Sequence, residues 1–591
     1  MSPGGQVAAE RAFDQIKFEV IRNALIEAVE EMGLTLRRSG YSTNIKTRSD
    51  FSCAFFDRQL RVVAQGFNQP NHLGSLVQLV PRAIGDYGAE AIHEGDAIIT
   101  NDPYRRGGHL NDVTFITPVH HGDELFGYVA NVAHHVDVGG GAPASVGAFQ
   151  EVFQEGVIVP PVKLVDRGEI VPDVFALVLA QIRSKRETGG DFRAQVAANN
   201  TGVRRIRSLL DAYGTATVNS YIDELIDYTE RRTRAGIATL VKGQFEAEGF
   251  VDNDGFTDQR VRLVARLTID EEGILFDFTG SDIQRRAPVN STYAQTFSTC
   301  AYIMKCLIDP DIPANAGLYR TVRLIAPEGT VVNCEWPAPV VGGWETAGRL
   351  GDVMFRALSN AMPDRVPAGT KGMMCHAGFG GFKPGTREYY CFLESLAGGY
   401  GGRIASDGPD AVQIHGQNTE NAPVEETELN YPVWITRYEL VEDSEGPGRF
   451  RGGLGMRRDY EFRDAAATFT VLADRDRDGP WGLFGGSPGK PAEYILNPDG
   501  DHVRINSKST IELEPGDVVS YRTCGGGGYG DPFERDPQLV LADVHAGKVR
   551  VDRARDVYRV VVDPERWVVD LVATNALRNG RADRDGDATQ P

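Results

Sequence analysis

The 591-residue sequence has no apolar stretch approaching the roughly 18 residues of a membrane helix. Basic residues are also in deficit, with 62 lysines and arginines against 82 aspartates and glutamates. The formal charge of −20 would repel phosphate backbones and anionic lipid surfaces, so we expect neither nucleic acid nor a membrane as a partner. The opening residues, MSPGGQVAAERAFDQ, lack the basic and apolar regions of a signal peptide. We therefore predict a cytoplasmic protein.

Cysteine is scarce, and its seven copies contain no CxxC pair. An odd number of scattered cysteines argues against both a disulfide framework and a structural zinc site. We predict that they are buried thiols. They are Cys53, Cys300, Cys306, Cys334, Cys375, Cys391 and Cys524.

The apolar residues change their spacing along the chain. Helical spacing runs from residue 13 to 38 and returns between 172 and 243. Short β-like runs separated by Gly, Asp and Asn fill residues 47–138 and dominate again in 372–523. These patterns predict a multidomain α+β fold that is β-rich, with a long N-terminal helix and a helical segment around 172–243.

A chain of this length exceeds one hydrophobic core, which predicts two to four domains. We divide it into an N-terminal domain that holds the metal site described below, a central α/β domain, a β-rich domain, and a C-terminal helix with a tail. The predicted ranges are 1–249, 250–371, 372–535 and 536–591.

Finer features can also be read from the sequence. Turn residues at 271–273 and 497–500 each lie between β-like runs and predict two β-hairpins. A final helix is expected at 537–546, and the charged tail RNGRADRDGDATQP is expected to be disordered. The segment Gly342–Arg349 is too rich in glycine and charge for us to assign.

Histidine is the most informative residue type, because five of only eleven histidines fall within 27 positions. Two β-like runs flank residues 120–124, so an antiparallel hairpin would pair residues whose numbers sum to about 245. Asp112 would then lie opposite Ala133 or His134. His109 would lie opposite Val136. The five histidines are His109, His120, His121, His134 and His135.

Opposed residues on an antiparallel pair have Cβ atoms about 4.5–5.5 Å apart, close enough for their side chains to bind one ion. Imidazole and carboxylate together suit Zn²⁺, Mn²⁺ or Fe²⁺, and three protein ligands leave a position open for catalysis. The sequence therefore predicts a mononuclear metal site at His109, Asp112 and His134. His135 and Asp137 point away or lie one step beyond, which favours proton transfer over ligation. The turn residues His120 and His121 are interpreted as surface residues.

Two glycine-rich segments superficially resemble nucleotide loops. Gly525, Gly527 and Gly530 satisfy GxGxxG, but no βαβ unit surrounds them. Residues 485–491 have proline where a phosphate loop has the serine or threonine that meets Mg²⁺. We predict that neither segment binds a nucleotide.

Several motifs resemble one known family. NDPYRRGGHLND, NVAHHVDVGG and QEGVIVPP, in that order, resemble the signature of the B subunits of ATP-dependent hydantoinases and of the matching half of 5-oxoprolinase. Related subunits occur in caprolactamase and in acetone and acetophenone carboxylases. The resemblance extends over about residues 13–535. It continues through TRSDFSCAFFD, HLGSL, AANNTGVRRI, DFTGS, RFRGGLGMRRDY and GGGGYGDP.

The resemblance implies that His109, Asp112 and His134 hold a divalent metal, and that Asp50 lies beside them. From the residues alone, a lone aspartate at the start of a strand is also typical of a solvated strand end. One departure concerns the residues before His109, where the family commonly has Gly-Gly-Thr and this chain has Arg106-Gly107-Gly108. Arg105 and Arg106 would then alter the mouth of the substrate site.

The resemblance also implies a hetero-oligomer. A hydantoinase A-type ATPase subunit would use ATP to phosphorylate the amide or carbonyl oxygen of the substrate. In this chain, water activated by the metal would then open the ring of a hydantoin, 5-oxoproline or lactam. Two alternatives stay open, namely a subunit of an ATP-dependent ketone carboxylase and an assembly subunit whose metal is structural.

Overall fold

The computed structural model describes residues 14–66 and 69–579. Within these residues, no helix is both long enough and apolar enough to cross a membrane. The helices are α1 (Gln15–Ser39), α2 (Thr43–Lys46), α3 (Pro70–Tyr87), α4 (Pro172–Ala180), α5 (Lys185–Tyr213), α6 (Thr215–Ala238), α7 (Tyr293–Leu307), α8 (Ala316–Tyr319), α9 (Gly343–Leu358), α10 (Val424–Asn430), α11 (Pro537–His545), α12 (Val551–Tyr558) and α13 (Leu571–Asn579).

The strands form four main sheets and one small ribbon in the described part of the chain. They are β1 (Phe51–Asp57), β2 (Val62–Gln65), β3 (Ala97–Thr100), β4 (Asp112–His121), β5 (Glu124–His134), β6 (Val162–Asp166), β7 (Glu169–Ile170), β8 (Gly243–Val251), β9 (Val261–Ile269), β10 (Ile274–Asp277), β11 (Val322–Ile325), β12 (His376–Phe382), β13 (Tyr389–Ser395), β14 (Trp434–Leu440), β15 (Met456–Glu461), β16 (Ala467–Leu472), β17 (Glu493–Leu496), β18 (Val503–Arg504), β19 (Lys508–Leu513), β20 (Val518–Arg522), β21 (Val562–Asp563) and β22 (Val568–Val569).

The first sheet has the strand order β2-β1-β5-β4-β3-β6-β7, and all of its pairs are antiparallel. Because side chains alternate along a strand, β1 contributes to two cores. Phe55 packs into a core shared with the apolar faces of α1, α5 and α6. Phe56 packs on the other side, in a core shared with α3, α7 and α9. This sheet is therefore covered by helices on both faces.

The second sheet, with the order β11-β10-β9-β8, shares the core of α3, α7 and α9. The remaining two sheets have the orders β13-β12-β16-β19 and β14-β15-β20-β17-β18, and they enclose a third core rich in aromatic residues. The C-terminal helices α11 and α12 pack around a small core of their own with β21. The first and third sheets meet near the start of β12, and this meeting point forms one wall of the site described below.

The predicted multidomain α+β fold is confirmed. α1 and the run α4 to α6 match the two helical predictions, and both predicted hairpins form, between β9 and β10 and between β17 and β18. The domain boundaries stay predictions, and the one after residue 249 falls inside β8. Of the cysteines predicted to be buried, six are buried and Cys306 is exposed.

One unassigned segment is now placed, and one expectation needs correction. Gly342 caps helix α9, which begins at Gly343 and whose apolar face is buried, so the segment Gly342–Arg349 is the start of a helix. The predicted helix at 537–546 is present as α11 but is not the last, because α12 and α13 follow. Most of the tail predicted to be disordered lies outside the described residues, as does most of the opening segment that lacks the features of a signal peptide.

Candidate metal centre

The hairpin of β4 and β5 forms the floor of the site, and it places Asp112 directly opposite His134. The numbers of paired residues sum to 246 along most of the hairpin and to 245 beyond a bulge next to His120. Of the two partners predicted for Asp112, Ala133 and His134, the structure therefore confirms His134. His109 does not pair with Val136 as predicted. It lies before β4 in a tight turn, in which the Asp112 N–H donates to the His109 carbonyl at 3.0 Å.

The three predicted ligands come together. One ligand atom from each of His109, Asp112 and His134 lies within 4.8 Å of the other two. Nε2 of His109 is 3.3 Å from Oδ1 of Asp112, and the imidazole rings of His109 and His134 are 4.8 Å apart between centroids. All three side chains are buried.

The chemistry of these donors fits a divalent metal. Nε2 of His109, Nε2 of His134 and Oδ1 of Asp112 are buried, and none of them makes a hydrogen bond to another described residue. Buried polar atoms are nearly always satisfied, because an unsatisfied one costs about 1–3 kcal/mol. Three such atoms that converge on one point can all be satisfied by one cation. Imidazole and carboxylate suit Zn²⁺, Mn²⁺ or Fe²⁺.

The charges in the cluster are mutually dependent. Burial raises the pKa of Asp112, but His109 and His72 more than offset this and hold it well below its usual value. Burial lowers the pKa of His109, yet the carboxylates of Asp112, Glu155 and Asp50 together raise it by more, so the net shift is upward. For His134, burial together with the neighbouring His109 holds the pKa well below the ordinary value. His134 is therefore neutral at physiological pH, as a metal-binding imidazole must be.

His72 is a member of the cluster that histidine density did not reveal. It lies in the first turn of α3, with Nε2 3.5 Å from Oδ1 of Asp112 and 3.9 Å from Oδ1 of Asp50. Burial lowers its pKa, but Asp112 and Asp50 reverse this and raise it. Asp50 thus contacts His72 at the side of the cluster. It is not part of the close group of three donors. Its role as a ligand stays a prediction.

Helix α9 supplies the opposite wall of the site. Trp344 donates from Nε1 to Oδ2 of Asp112 at 3.1 Å, which leaves Oδ1 to face the histidines. Gly108 packs against the same carboxylate, since a Cβ there would lie 2.4 Å from Oδ2. Asn44 contacts Nδ1 of His134 at 3.3 Å and is itself held by Arg48 at 3.0 Å. Asp112 and His134, two of the three predicted ligands, are therefore held by neighbouring residues.

A buried histidine–glutamate pair lies next to the cluster. His376, at the start of β12, has Nδ1 3.0 Å from Oε1 of Glu345 in α9. The ring of His376 is 6.4 Å from the ring of His134 between centroids. Sequence reasoning missed this pair, because His376 is isolated in the sequence and Glu345 lies in the segment that could not be assigned. The one signal that the sequence offered was the scarcity of histidine.

The two predicted proton-transfer residues are not brought to the cluster. His135 follows His134 on the chain and faces the opposite side, where Nε2 is 2.9 Å from Oε1 of Gln195 in α5. Asp137 forms an ion pair with Arg183 at 2.8 Å. Alternation along the extended backbone turns His135 to the side opposite His134. The contacts of His135 and Asp137 therefore favour structural roles for these two residues. Their assignment to proton transfer is untested and loses its geometric support.

The arginines that depart from the family pattern point away from the three donors. Arg105 pairs with Asp86 and Asp102. Arg106 adopts a left-handed backbone conformation and stacks over the ring of Tyr293, with 3.9 Å from Cζ to the centroid. Both side chains are thus held by the protein itself.

A second set of carboxylates is close enough to hold a metal, namely Asp252, Asp474 and Asp476. Here two basic side chains already lie against the carboxylates. Arg349 lies 3.2 Å from Oδ2 of Asp474, and Lys508 lies 3.1 Å from its Oδ1. We therefore interpret this set as an ion-pair network.

Glu155 gives a testable pH dependence. Its buried carboxylate accepts hydrogen bonds from the Val340 and Val341 amides at 2.6 and 2.8 Å, and burial raises its pKa from 4.5 to about 8. Unfolding then releases a proton between these two pH values, so stability falls as pH rises from about 4.5 towards about 8 and levels off above it. In chelator-treated protein, we expect Glu155→Gln to flatten this slope by up to about 1.4 kcal/mol per pH unit.

Urea unfolding at a series of pH values measures this slope. The matched control is Glu124→Gln, which changes an exposed carboxylate at the hairpin turn. Wild-type and Glu155→Gln curves that run parallel from pH 4.5 to 8 would contradict the prediction.

Comparison with known proteins places this geometry in context. The family model described as Hydantoinase B/oxoprolinase matches residues 14–532. The putative D-/L-hydantoinase B subunit of Pseudomonas sp. (strain NS671) is 32% identical over 588 residues, which cover 96% of this chain and 98% of that protein. The caprolactamase beta subunit of Pseudomonas jessenii is 34% identical over 586 residues, which cover 96% and 99% of the two chains.

The solved structures agree with the sequence matches. The crystal structure of ATP-dependent caprolactamase from Pseudomonas jessenii contains a chain that superposes with a TM-score of 0.89 at 31% identity, covering 96% of this chain and all of that chain. The nucleotide-free structure of acetone carboxylase superposes with a TM-score of 0.91 at 20% identity, covering 98% of this chain and 84% of that one, which shows a shared fold. This chain belongs to the hydantoinase B/oxoprolinase family.

Proposed function

We propose that this chain is the metal-dependent B subunit of an ATP-dependent amidohydrolase that opens a hydantoin, 5-oxoproline or lactam ring. The observation that carries the proposal is the convergence of three buried donor atoms, on His109, Asp112 and His134, that make no hydrogen bond to another described residue. Relatives named as the B subunit of a hydantoinase and the beta subunit of caprolactamase support the substrate class and imply a companion chain.

The glycine-rich segments support a division of labour. The GxGxxG segment lies in no βαβ unit, and residues 485–491 lack the serine or threonine of a phosphate loop, so we assign the use of ATP to a partner of the hydantoinase A type, which phosphorylates the ring's amide-type oxygen. Phosphorylation makes the ring carbon electrophilic and converts the oxygen into a leaving group. A cytoplasmic location remains part of the proposal.

The residues of this chain then have distinct roles. His109, Asp112 and His134 would hold a Zn²⁺, Mn²⁺ or Fe²⁺ ion, which would supply Lewis acidity and activate water near neutral pH. Trp344 holds the Asp112 carboxylate in place through its hydrogen bond at 3.1 Å. Burial of the cluster excludes bulk water and strengthens each electrostatic contact.

Proton movement is assigned to His376. Glu345 lies against Nδ1 of His376 at 3.0 Å, so Nε2 is the atom at which this imidazole would accept or release a proton. Because the pair lies beside His134, it is close enough to serve a substrate at the open position of the cluster. His376 takes the role that the sequence assigned to His135 and Asp137.

The second candidate is a subunit of an ATP-dependent ketone carboxylase. It is favoured by the high TM-score to acetone carboxylase, although identity there is only 20% and the likeness concerns the fold. The two reactions differ in one reagent, because carboxylation consumes a CO₂ equivalent and ring opening consumes water.

The test is turnover by the complex of this chain and its companion. We expect ATP-dependent phosphate release and ring opening with at least one of the hydantoins, 5-oxoproline or lactams, without bicarbonate. Chelation should abolish turnover, and one of the three proposed metals should restore it. A strict bicarbonate requirement would favour the carboxylase, and full turnover by a metal-free complex would overturn the proposal.

A further inference from the structure

Strand β14 is an exposed edge of the five-stranded sheet. Among the described residues it pairs with β15 alone. The Val441 N–H donates to the Gly455 carbonyl at 2.9 Å, which shows which residues of β14 direct their backbone groups towards β15. In an antiparallel pair, residues 439 and 441 then bond to β15, and the backbone groups of Tyr438 and Leu440 face away from the sheet. The edge therefore presents free donors and acceptors.

The hydrophobic core below this edge is incomplete. Leu440 lies opposite the buried Met456, and Tyr438 lies opposite Arg458. Both partners belong to the inner face of the sheet, yet Tyr438 is 50% exposed and Leu440 is 41% exposed. A further strand beside β14 would cover these side chains as well as satisfy the backbone.

The charges on the other face of β14 identify the occupant. Arg437 and Glu439 stand on either side of Tyr438. Their ion pairs within the chain are long, at 3.8 Å from Arg437 to both Glu439 and Asp459, 3.9 Å from Arg437 to Asp499 and 3.6 Å from Glu439 to Arg457. The Arg437 and Glu439 side chains are 45% and 50% exposed, and exposed ion pairs contribute little, so both charges can pair with another chain. Charged residues on an edge usually discourage pairing with another strand, but the two charges here have opposite signs, so an antiparallel copy of β14 can place each charge opposite its counter-charge.

We propose that β14 pairs with β14 of a second copy of this chain, about a two-fold axis at Tyr438. In that register Arg437 faces Glu439 of the second copy, and Glu439 faces its Arg437. An axis centred at Arg437 would oppose two arginines, and one centred at Glu439 would oppose two glutamates. Only the axis at Tyr438 gives two attractive cross-strand pairs, so the sequence of the edge selects one register.

The pairing would join two five-stranded sheets into one continuous sheet of ten strands across two copies. Tyr438 would bond to Tyr438 of the second copy through the backbone groups that face outwards, and Leu440 would pack near Thr436 of the second copy. This interface lies on a different sheet from the metal cluster, so it does not depend on the proposed function.

Charge reversal tests the register in the full-length chain. Wild type is expected to contain two copies of this chain per particle. Arg437→Glu places glutamate against glutamate twice, and Glu439→Arg places arginine against arginine twice. We expect each single variant to raise the dissociation constant at least about tenfold, and the double variant Arg437→Glu/Glu439→Arg to return it close to the wild-type value.

Native mass spectrometry over a dilution series counts the copies of this chain, with or without its companion. Arg504→Glu is the matched control, because it reverses an exposed arginine on β18 at the opposite edge of the same sheet. If Arg437 and Glu439 served only Asp459 and Arg457 within one chain, the double variant would be impaired at least as much as either single variant.

Three results would overturn the proposal. One is a single copy of this chain per particle in wild type at all concentrations. Another is failure of the double variant to restore the pairing. The third is loss of a companion chain from the single variants with the number of copies unchanged, which would assign the edge to a different partner.

Discussion

Asp112→Ala is expected to lower kcat/KM on the order of 10³-fold and to leave the purified protein with little bound metal. Asp112 is the one carboxylate among the three converging donors, and its Oδ1 lies near both His109 and His72. Its removal deletes a proposed metal ligand and also the negative charge beside two neighbouring imidazoles. A metal contributes several kcal/mol of transition-state stabilisation, and each 1.36 kcal/mol corresponds to about tenfold in rate.

The measurement is metal analysis together with turnover by the purified complex. His109→Ala should give the same two losses, because His109 and Asp112 act as one unit. The matched control is His120→Ala, which removes a histidine from the far end of the same hairpin, eight residues beyond Asp112. An Asp112→Ala protein with full metal content and normal turnover would contradict the assignment of the site.

The same variants separate a catalytic metal from a structural one. If the metal only stabilised an assembly subunit, metal loss would be accompanied by a lower melting temperature and by dissociation of the complex. The hairpin has ten and eleven residues in its two strands, and the neighbouring strands β1 and β3 pair with it on both sides. We therefore expect the fold and the assembly to survive metal loss.

The cross-strand pair of the site was predictable because its geometry is local. Asp112 and His134 are 22 residues apart and joined by one hairpin, so the number of residues in the turn fixes which positions are opposed. An error of one in the pairing sum still placed the two residues together. His109 was placed correctly in the cluster, although the turn that brings it there was predicted as strand.

The rest of the site comes from distant elements and was not predictable. Trp344 and Glu345 lie more than 200 residues after Asp112, and their helix α9 starts in a segment whose glycines obscure its helical period. His72 stands alone in the sequence, in the first turn of α3. His376 lies on another sheet. Only tertiary packing brings these residues together, and no periodic pattern in the sequence encodes that packing.

Backbone alternation also explains why His135 does not face the cluster. The sequence pair His134-His135 drew attention to both residues, but adjacent residues on a strand face opposite sides. His135 consequently packs against Phe192, with ring centroids 5.0 Å apart, and bonds to Gln195. The group that takes its place must come from outside the hairpin, and His376 is the buried histidine that the third sheet brings to this position.

His376→Gln is expected to lower kcat by about 10²- to 10⁴-fold while metal content stays at the wild-type level, because a general acid–base group contributes on that scale. Glutamine keeps much of the size and the polarity of the side chain but cannot transfer a proton. His415→Gln is the matched control. His415 is also buried beside a carboxylate, with Nε2 3.3 Å from Oδ1 of Asp352, but it is not among the residues of the cluster. It should reveal any cost in stability without the loss in kcat.

The two readouts distinguish proton transfer from ligand positioning. If His376 only supported the ring of His134, its loss would weaken metal binding, and excess metal would restore turnover. If His376 transfers a proton, kcat stays low at saturating metal and substrate. Glu345→Gln should lower kcat less than His376→Gln, because Glu345 orients the imidazole and does not itself meet the substrate. Equal turnover by wild type and His376→Gln would remove His376 from the mechanism and assign the proton to another group.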